Sequence, residues 1–180
     1  MKRNTQIQKL VKWIKNWFFC KKYPFWRARN TMTGKRLGYS FTWYDCIPEG
    51  WKKAFGEQLS EDIKKAGKES RKKNKHHLKW KDMLVWWQIK EKWGYLCLYA
   101  SATEEIRDVL DTYEDLSSQY CINCGEKTSY VTDGYVEFLC DSCFNKYLDR
   151  LNLTKKQRTY LKRTCSLKNK EKNKNNKFIV

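Results

Sequence analysis

Apolar positions recur along this chain at helical and then strand spacings, in an order that outlines an α+β protein. In "TQIQKLVKWIKNWFF", Ile7, Leu10, Val11, Ile14, Trp17 and Phe18 fall on one side of a helix, and Lys9, Lys12 and Lys15 occupy the rest of the cylinder. This predicts an amphipathic helix over residues 5–19. Docking on the protein's own core is the expected cause of its stripe, although a membrane-surface helix would carry the same pattern. Residues 20–48 lack a clean period and predict an irregular segment pinned by its rings. Pro48 then opens a helix, since proline is tolerated in a first turn. Trp51, Phe55, Leu59 and Ile63 recur every four residues, with Ala54 and Ala66 widening the stripe. The expected end is near Gly67, and residues 68–81 read as a basic loop.

Val85, Trp87 and Ile89 then alternate with Trp86, Gln88 and Lys90, and Tyr95, Cys97 and Tyr99 alternate with Leu96 and Leu98. A turn at Lys92-Trp93-Gly94 would join the two runs as a β-hairpin. Val85 and Trp87 are expected inside, with Trp86 or Trp93 half exposed. Ser101 or Thr103 caps the next helix, Ser101 with Glu104 fitting a capping box. Its apolar stripe is Ile106, Val109, Leu110, Tyr113 and Leu116, and its other face is acidic. Two short helices follow, at about 142–152 and 155–164, the second capped by Thr154 with Gln157 at the box position. The expected architecture is helices packed on a small antiparallel hairpin, with a C-terminal treble-clef-like zinc finger. The segments divide as a basic helix (1–19), an α+β core (20–118), the finger with its closing helices (119–165) and a basic flexible tail (166–180).

Composition and charge sharpen this picture. The nine Trp, eleven Tyr and eight Phe among 180 residues exclude a largely disordered chain. No apolar run approaches the roughly 20 residues that span a bilayer, and the first helix lacks the apolar stretch of a secretory signal. A cytoplasmic protein is therefore expected, in which paired cysteines hold metal more often than they form disulfides. The net charge is +18 and unevenly placed. Residues 1–44 carry eleven Lys/Arg and no Asp or Glu, residues 68–81 seven basic and one acidic, and residues 82–153 six basic and thirteen acidic. Such basic segments suit a polyanion, RNA or DNA; a merely solvated lysine-rich surface is the plainer alternative. Candidate contacts are Arg27, Arg29, Lys35 and Arg36 beside Tyr23, Phe25 and Trp26, and Arg71, Lys72, Lys73 and Lys75 beside the tryptophan cluster Trp80, Trp86, Trp87 and Trp93. In that cluster Trp86 and Trp93 are candidates to stack on unpaired bases, with core packing as the alternative for every ring.

The sharpest motif is "CINCGEKTSYVTDGYVEFLCDSC", residues 121–143. Two Cys-x-x-Cys turns, Cys121/Cys124 and Cys140/Cys143, offer four soft ligands for one tetrahedral zinc ion. Gly125 suits a tight turn after the first pair. Asp133-Gly134 marks a hairpin between the pairs, and the second pair opens the helix "FNKYLDRLN", whose N-terminus favours thiolate. With all four positions filled by sulfur, none is left for water, so such an ion is structural. Cys20, Cys46, Cys97 and Cys165 have no such partners.

Catalytic signatures are weak. His76 and His77 lie in the basic stretch, outside the finger, where a His-metal nuclease would need its base. Gln88-Ile89-Lys90 lies on a strand as in Glu-x-Lys nucleases, but only Asp82 precedes it closely. There is no phosphate-cradling glycine loop. A non-enzymatic protein is expected, with a metal-dependent nuclease as a minor alternative.

Taken together, "YPFWRARNTMTGK", "YDCIPEGWKKAFGEQLSEDI", "WWQIKEKWGYLCLYAS" and "SSQYCINCG…LCDSC" resemble a family of small, mostly uncharacterised proteins encoded by bacteriophages and prophages. The likeness covers residues 20–145 and rests on a Pro-x-Gly-Trp helix start, a Lys-Glu-Lys-aromatic-Gly hairpin and a terminal paired-Cys finger. Where family members often have Arg, this chain has Cys97. The resemblance implies a phage accessory protein in a bacterial cytoplasm. One role it suggests is inhibition of a host defence nuclease, as an anti-CRISPR does, by direct binding to a nucleic-acid-handling protein. The acidic helix at 103–118 could then mimic nucleic acid.

Overall fold

A computed structural model describes residues 2–30, 33–74 and 78–167, with side chains from residue 6 onward. The architecture is α+β: helices with one two-stranded antiparallel hairpin and a second, minimal strand pair near the C-terminus. The chain divides into two compact units. One comprises Met1–Ile47, Glu57–Lys90 and Cys97–Tyr113; the other comprises Pro48–Gly56, Glu91–Leu96 and Glu114–Val180.

The first unit is organised around two tryptophans. Trp26, in a short 3-10 turn at Pro24–Trp26, is wholly buried and stacks on Trp86 of strand β1 (Leu84–Lys92), with ring centroids 4.9 Å apart and planes 6° from parallel. Each indole N–H has a partner: Trp26 Nε1 donates to Ser60 Oγ (2.9 Å) and Trp86 Nε1 to the Phe25 carbonyl (3.0 Å). Burying these N–H groups without acceptors would cost roughly 1–3 kcal/mol each. This anchoring decides the face of β1. Leu84 and Trp86 point inward, while Val85 and Trp87 are exposed, the reverse of the expectation from alternation. Ile89 is nonetheless buried, because Trp87 and Gln88 are consecutively exposed and the alternation slips by one residue there. Strand β2 (Tyr95–Ala102) buries Leu96, Leu98 and Ala100.

The helical run after Pro48 comprises α2 (Glu49–Trp51), a wider π-type turn (Lys52–Gly56) and α3 (Glu57–Lys73). A strict four-residue repeat drifts around an ideal helix of 3.6 residues per turn. One wider turn compensates, so Trp51, Phe55, Leu59 and Ile63 are all buried. The helix does not stop at Gly67. It continues to Lys73, burying Ala66 and Ser70, so the expected loop over 68–81 is helical in its first half. Gly67 serves close approach instead: a Cβ there would lie 2.3 Å from the Trp80 ring. Trp80 opens the one-turn helix α4 (Trp80–Met83). Helix α5 (Glu104–Ser117) starts after Thr103, whose carbonyl accepts from the Ile106 and Arg107 amides. Ser101 lies within β2 and accepts from Trp87 Nε1, so it is not the cap.

Helix α1 (Lys2–Lys22) is longer than expected, and its stripe is turned the other way. Ile7, Leu10, Val11, Ile14 and Phe18 are exposed. The opposite side makes the contacts: Asn16 Nδ2 donates to the Tyr39 carbonyl (2.8 Å), Lys12 pairs with Asp45 (3.2 Å), and Phe19 packs on Tyr44. Docking of the stripe on the core is therefore corrected. The cause is local: the chain reverses through buried Tyr23 and Phe25, which fixes the facing side by Phe19 and Cys20.

In the second unit the hairpin turn falls at Trp93 and Gly94, both at positive φ (56° and 81°), as a two-residue turn matched to strand twist requires. Strands β3 (Tyr130–Val131) and β4 (Phe138–Leu139) pair in register Tyr130↔Leu139, around Gly134 at φ +81°. Helices α6 (Asp141–Arg150) and α7 (Lys155–Thr164) follow, α7 with the expected Thr154–Gln157 capping box. Phe144 lies at the centre of this core, stacked on Tyr130 at 4.2 Å, with Leu139, Leu148 and Cys165 around it. Ser166 bridges to Tyr130 and the Leu167 amide donates to the Ser129 carbonyl (3.0 Å), so both residues are held on this unit. Residues 168–180, His76, His77 and Lys75 lie outside the described residues.

Candidate metal centre and basic cleft

The four cysteines of the motif converge. Their sulfurs all lie within 4.8 Å of one another, and Cys124 Sγ is 3.4 Å from Cys140 Sγ. A disulfide needs about 2.05 Å. A zinc tetrahedron with Zn–S near 2.3 Å has edges of about 3.8 Å, which this cluster brackets. The turns form as the sequence implies. Gly125 sits at φ +87° and donates its amide to the Cys121 carbonyl (2.9 Å), closing the first knuckle. Cys140 occupies the N-cap of α6, which places Cys143 in its first turn.

Without a cation the cluster resists carrying several thiolates at once. Burial pushes Cys143 up, and the Cys124 and Cys121 thiols push it further, to about 12. Cys124 is raised as well, chiefly by burial. For Cys140, burial acts upward, but the Ser142 hydroxyl, the Cys143 amide and the adjacent thiols outweigh it and hold the group near 7. One negative charge is tolerated and a second is opposed, which is the condition a bound dication removes. The donor set thus fits a metal ion. Among the described residues it is the one group of Cys, His and carboxylates close enough to do so. Cys20 is buried, with its thiol raised to about 11 mainly by that burial.

The first knuckle is gripped by an element that spacing alone did not connect to it. Gly50 donates its amide to the Ile122 carbonyl (3.0 Å), and Trp51 Nε1 donates to the Tyr120 carbonyl (3.0 Å). A Cβ on Gly50 would stand 2.2 Å from the Cys121 carbonyl oxygen, and one on Gly125 would stand 2.6 Å from the Gly50 oxygen. The Pro48-x-Gly50-Trp51 motif is thus the clamp of the metal knuckle. Two facing glycines were the available signal.

The first unit contains a separate feature. The two basic segments at 27–36 and 71–81 meet there in one cleft. A cavity of about 230 Å³ lies among Phe25, Arg27, Arg29, Trp43, Trp80 and Lys81. A second, of about 260 Å³, shares Pro24, Arg29, Trp80 and Lys81 with it and adds Arg36 and Arg71. The arginines are held by backbone carbonyls: Arg27 by Leu37, Arg29 by Gly34 and Arg71 by Leu78, at 3.1–3.2 Å. Arg71 also lies over the Trp80 ring (5.3 Å) and Arg27 over Tyr39 (4.3 Å). Among the described residues none of Arg27, Arg29, Arg36 and Arg71 forms an ion pair with a carboxylate. Burial, then the nearby Arg36 and Arg27 charges, lowers the Arg29 pKa, with Asp82 a partial offset.

The remaining expected contacts divide. Lys35 and Lys72 are exposed. Lys73 is engaged with Glu105 at 2.6 Å. Trp86 is buried and cannot stack on a base, because its ring is spent on Trp26. Trp93 is exposed at the hairpin turn of the second unit. The outward ring on the sheet is Trp87, with Tyr99 on the same face and Val85 reaching the 230 Å³ cavity. Trp43, Trp80 and Lys81 were not among the expected contacts; Trp80 belonged to the tryptophan cluster beside the basic run and Lys81 is the last cation of that run, whereas Trp43 had no such signal.

No family model, curated protein or solved structure matches this chain. Among the described residues, no helix is long and apolar enough to cross a membrane.

Proposed function

We propose that this is a zinc-stabilised, non-catalytic protein that binds single-stranded nucleic acid along the cleft of Arg27, Arg29, Arg36, Arg71 and Lys81. The observation that carries the reading is the meeting of two sequence-distant basic segments around Trp80 and Trp43, with no carboxylate paired to the arginines among the described residues. Phosphates would lie against the guanidinium groups, already oriented by backbone carbonyls. Unpaired bases would stack on the outward ring of Trp87 and on the half-buried ring of Trp43 that lines the cavity. Cavities this small suit single planar groups better than a drug-sized ligand, whose sites begin at about 300 Å³.

Zinc is the metal proposed, because four thiolates in a closed shell favour it over harder ions. Cys121, Cys124, Cys140 and Cys143 would hold it, and the ion would supply a cross-link. The motif resemblance makes a phage-encoded protein in a bacterial cytoplasm the proposed setting.

The test is anisotropy with a fluorescent single-stranded oligonucleotide across salt concentrations. Each neutralised phosphate contributes about −0.7 to the slope of log K against log[salt], so five cations predict about −3.5. Substituting Arg29→Ala and Arg71→Ala together should flatten the slope by about 1.4. A slope shallower than −1, or one that the double variant leaves unchanged, refutes the reading. The alternative is direct binding to a host nucleic-acid-handling protein. It is favoured by one observation, the exposed acidic residues Glu104, Asp108, Asp111 and Asp115 along α5. A partner recovered from host lysate after nuclease treatment, and lost on charge reversal of those residues, would support it.

A further inference from the structure

We infer that the outward face of α1 is a docking surface for an anionic lipid bilayer, on which the helix lies in the plane of the headgroups. Ile7, Leu10, Val11, Ile14 and Phe18 form one continuous stripe, and Leu10 and Phe18 are 60% and 62% exposed. The stripe is not a helix awaiting its own core, because the opposite side already holds Tyr39, Tyr44 and Asp45.

Charge selects the occupant. The helix carries seven Lys/Arg and no Asp or Glu. Lys12 is paired with Asp45, and Lys22 with Glu57 and Glu61. Lys9, Lys15 and Lys21 have no carboxylate partner among the described residues; Lys15 borders the stripe, and Lys21 lies over Trp17 at 3.8 Å. Basic residues flanking an apolar stripe with tryptophan at its edge are the composition of a helix that rests at a membrane interface. A second copy of the chain is a poor occupant. Two α1 helices face to face would oppose lysines with no carboxylate to pair them. The acidic helix α5 offers no apolar counterpart, since Ile106, Leu110 and Tyr113 are buried.

The surface is independent of the arginine cleft, and the experiment separates them. Full-length protein is sedimented with vesicles of 70% phosphatidylcholine and 30% phosphatidylglycerol, and with pure phosphatidylcholine vesicles. Binding to the anionic vesicles should be at least tenfold tighter. The variant Leu10→Gln/Ile14→Gln/Phe18→Gln changes no charge and alters only exposed positions, so it should fold. It should weaken vesicle binding at least tenfold while leaving oligonucleotide affinity unchanged. A circular-dichroism spectrum and unfolding midpoint matching the parent confirm that folding is intact. Equal binding to both vesicle types, or binding that survives the triple substitution, overturns the inference. So does a concentration-dependent dimer abolished by the same substitutions.

Discussion

Replacing Gly50 by Ala tests whether the helix start clamps the metal knuckle. By propensity alone the change should help, since Ala is favoured over Gly within a helix by about 1 kcal/mol. The packing argues the other way. The new Cβ would stand 2.2 Å from the Cys121 carbonyl oxygen and 2.4 Å from that of Ile122, whereas ordinary contact begins at 3.4 Å. These are backbone atoms of the knuckle and cannot rotate aside, so helix and knuckle must separate by about 1 Å. Overpacking of this kind costs about 1–3 kcal/mol. The separation also stretches the Gly50 amide bond to Ile122 and the Trp51 indole bond to Tyr120, each worth about 1 kcal/mol. The net expectation is a loss of about 2–4 kcal/mol. Urea unfolding of the metal-loaded protein reads it directly. Competition with a chromophoric chelator should show metal held at least tenfold more weakly, because the Cys121 backbone is displaced. A variant equal to the parent in both stability and metal affinity would refute the clamp.

Four further outcomes follow from the same contacts. Gly67→Ala would place its Cβ 2.3 Å from the Trp80 ring; it should destabilise the protein by about 1–3 kcal/mol and weaken oligonucleotide binding, read by thermal unfolding and anisotropy. Trp26→Phe should cost about 1–3 kcal/mol by removing the indole hydrogen bond to Ser60 and loosening the stack on Trp86. Metal removal by a strong chelator should expose the amides of 121–150 to hydrogen exchange, since the four cysteines would no longer be cross-linked through an ion. Glu105 is held near pKa 2 by hydrogen bonds from Lys73 and Ser70, so its stabilising contribution is complete above about 5 and lost as pH falls towards 2. Glu105→Gln should therefore flatten the acid limb of a stability–pH profile relative to the parent, and an unchanged limb would contradict the assignment.

What the sequence determined by itself was what neighbouring residues decide. The Cys-x-x-Cys turns, the Asp133-Gly134 hairpin, the positive-φ turn at Gly94 and the Thr154–Gln157 cap all formed as spacing implied. Each is closed by hydrogen bonds or steric limits within a few residues. Decisions between distant segments were not legible. Alternation along β1 offers two faces of similar apolarity, and only the stack of Trp86 on Trp26, sixty positions away, chose between them. Gly67 reads as a stop signal until Trp80 is seen pressed against it. The stripe of α1 predicts burial, but the reversal through Tyr23 and Phe25 turns it to solvent. Two basic runs gave no sign that they share a cleft, because like charges carry no pairing code. Tertiary packing of Phe25 on Trp80 brought them together, against their mutual repulsion and at a cost that aromatic burial offsets.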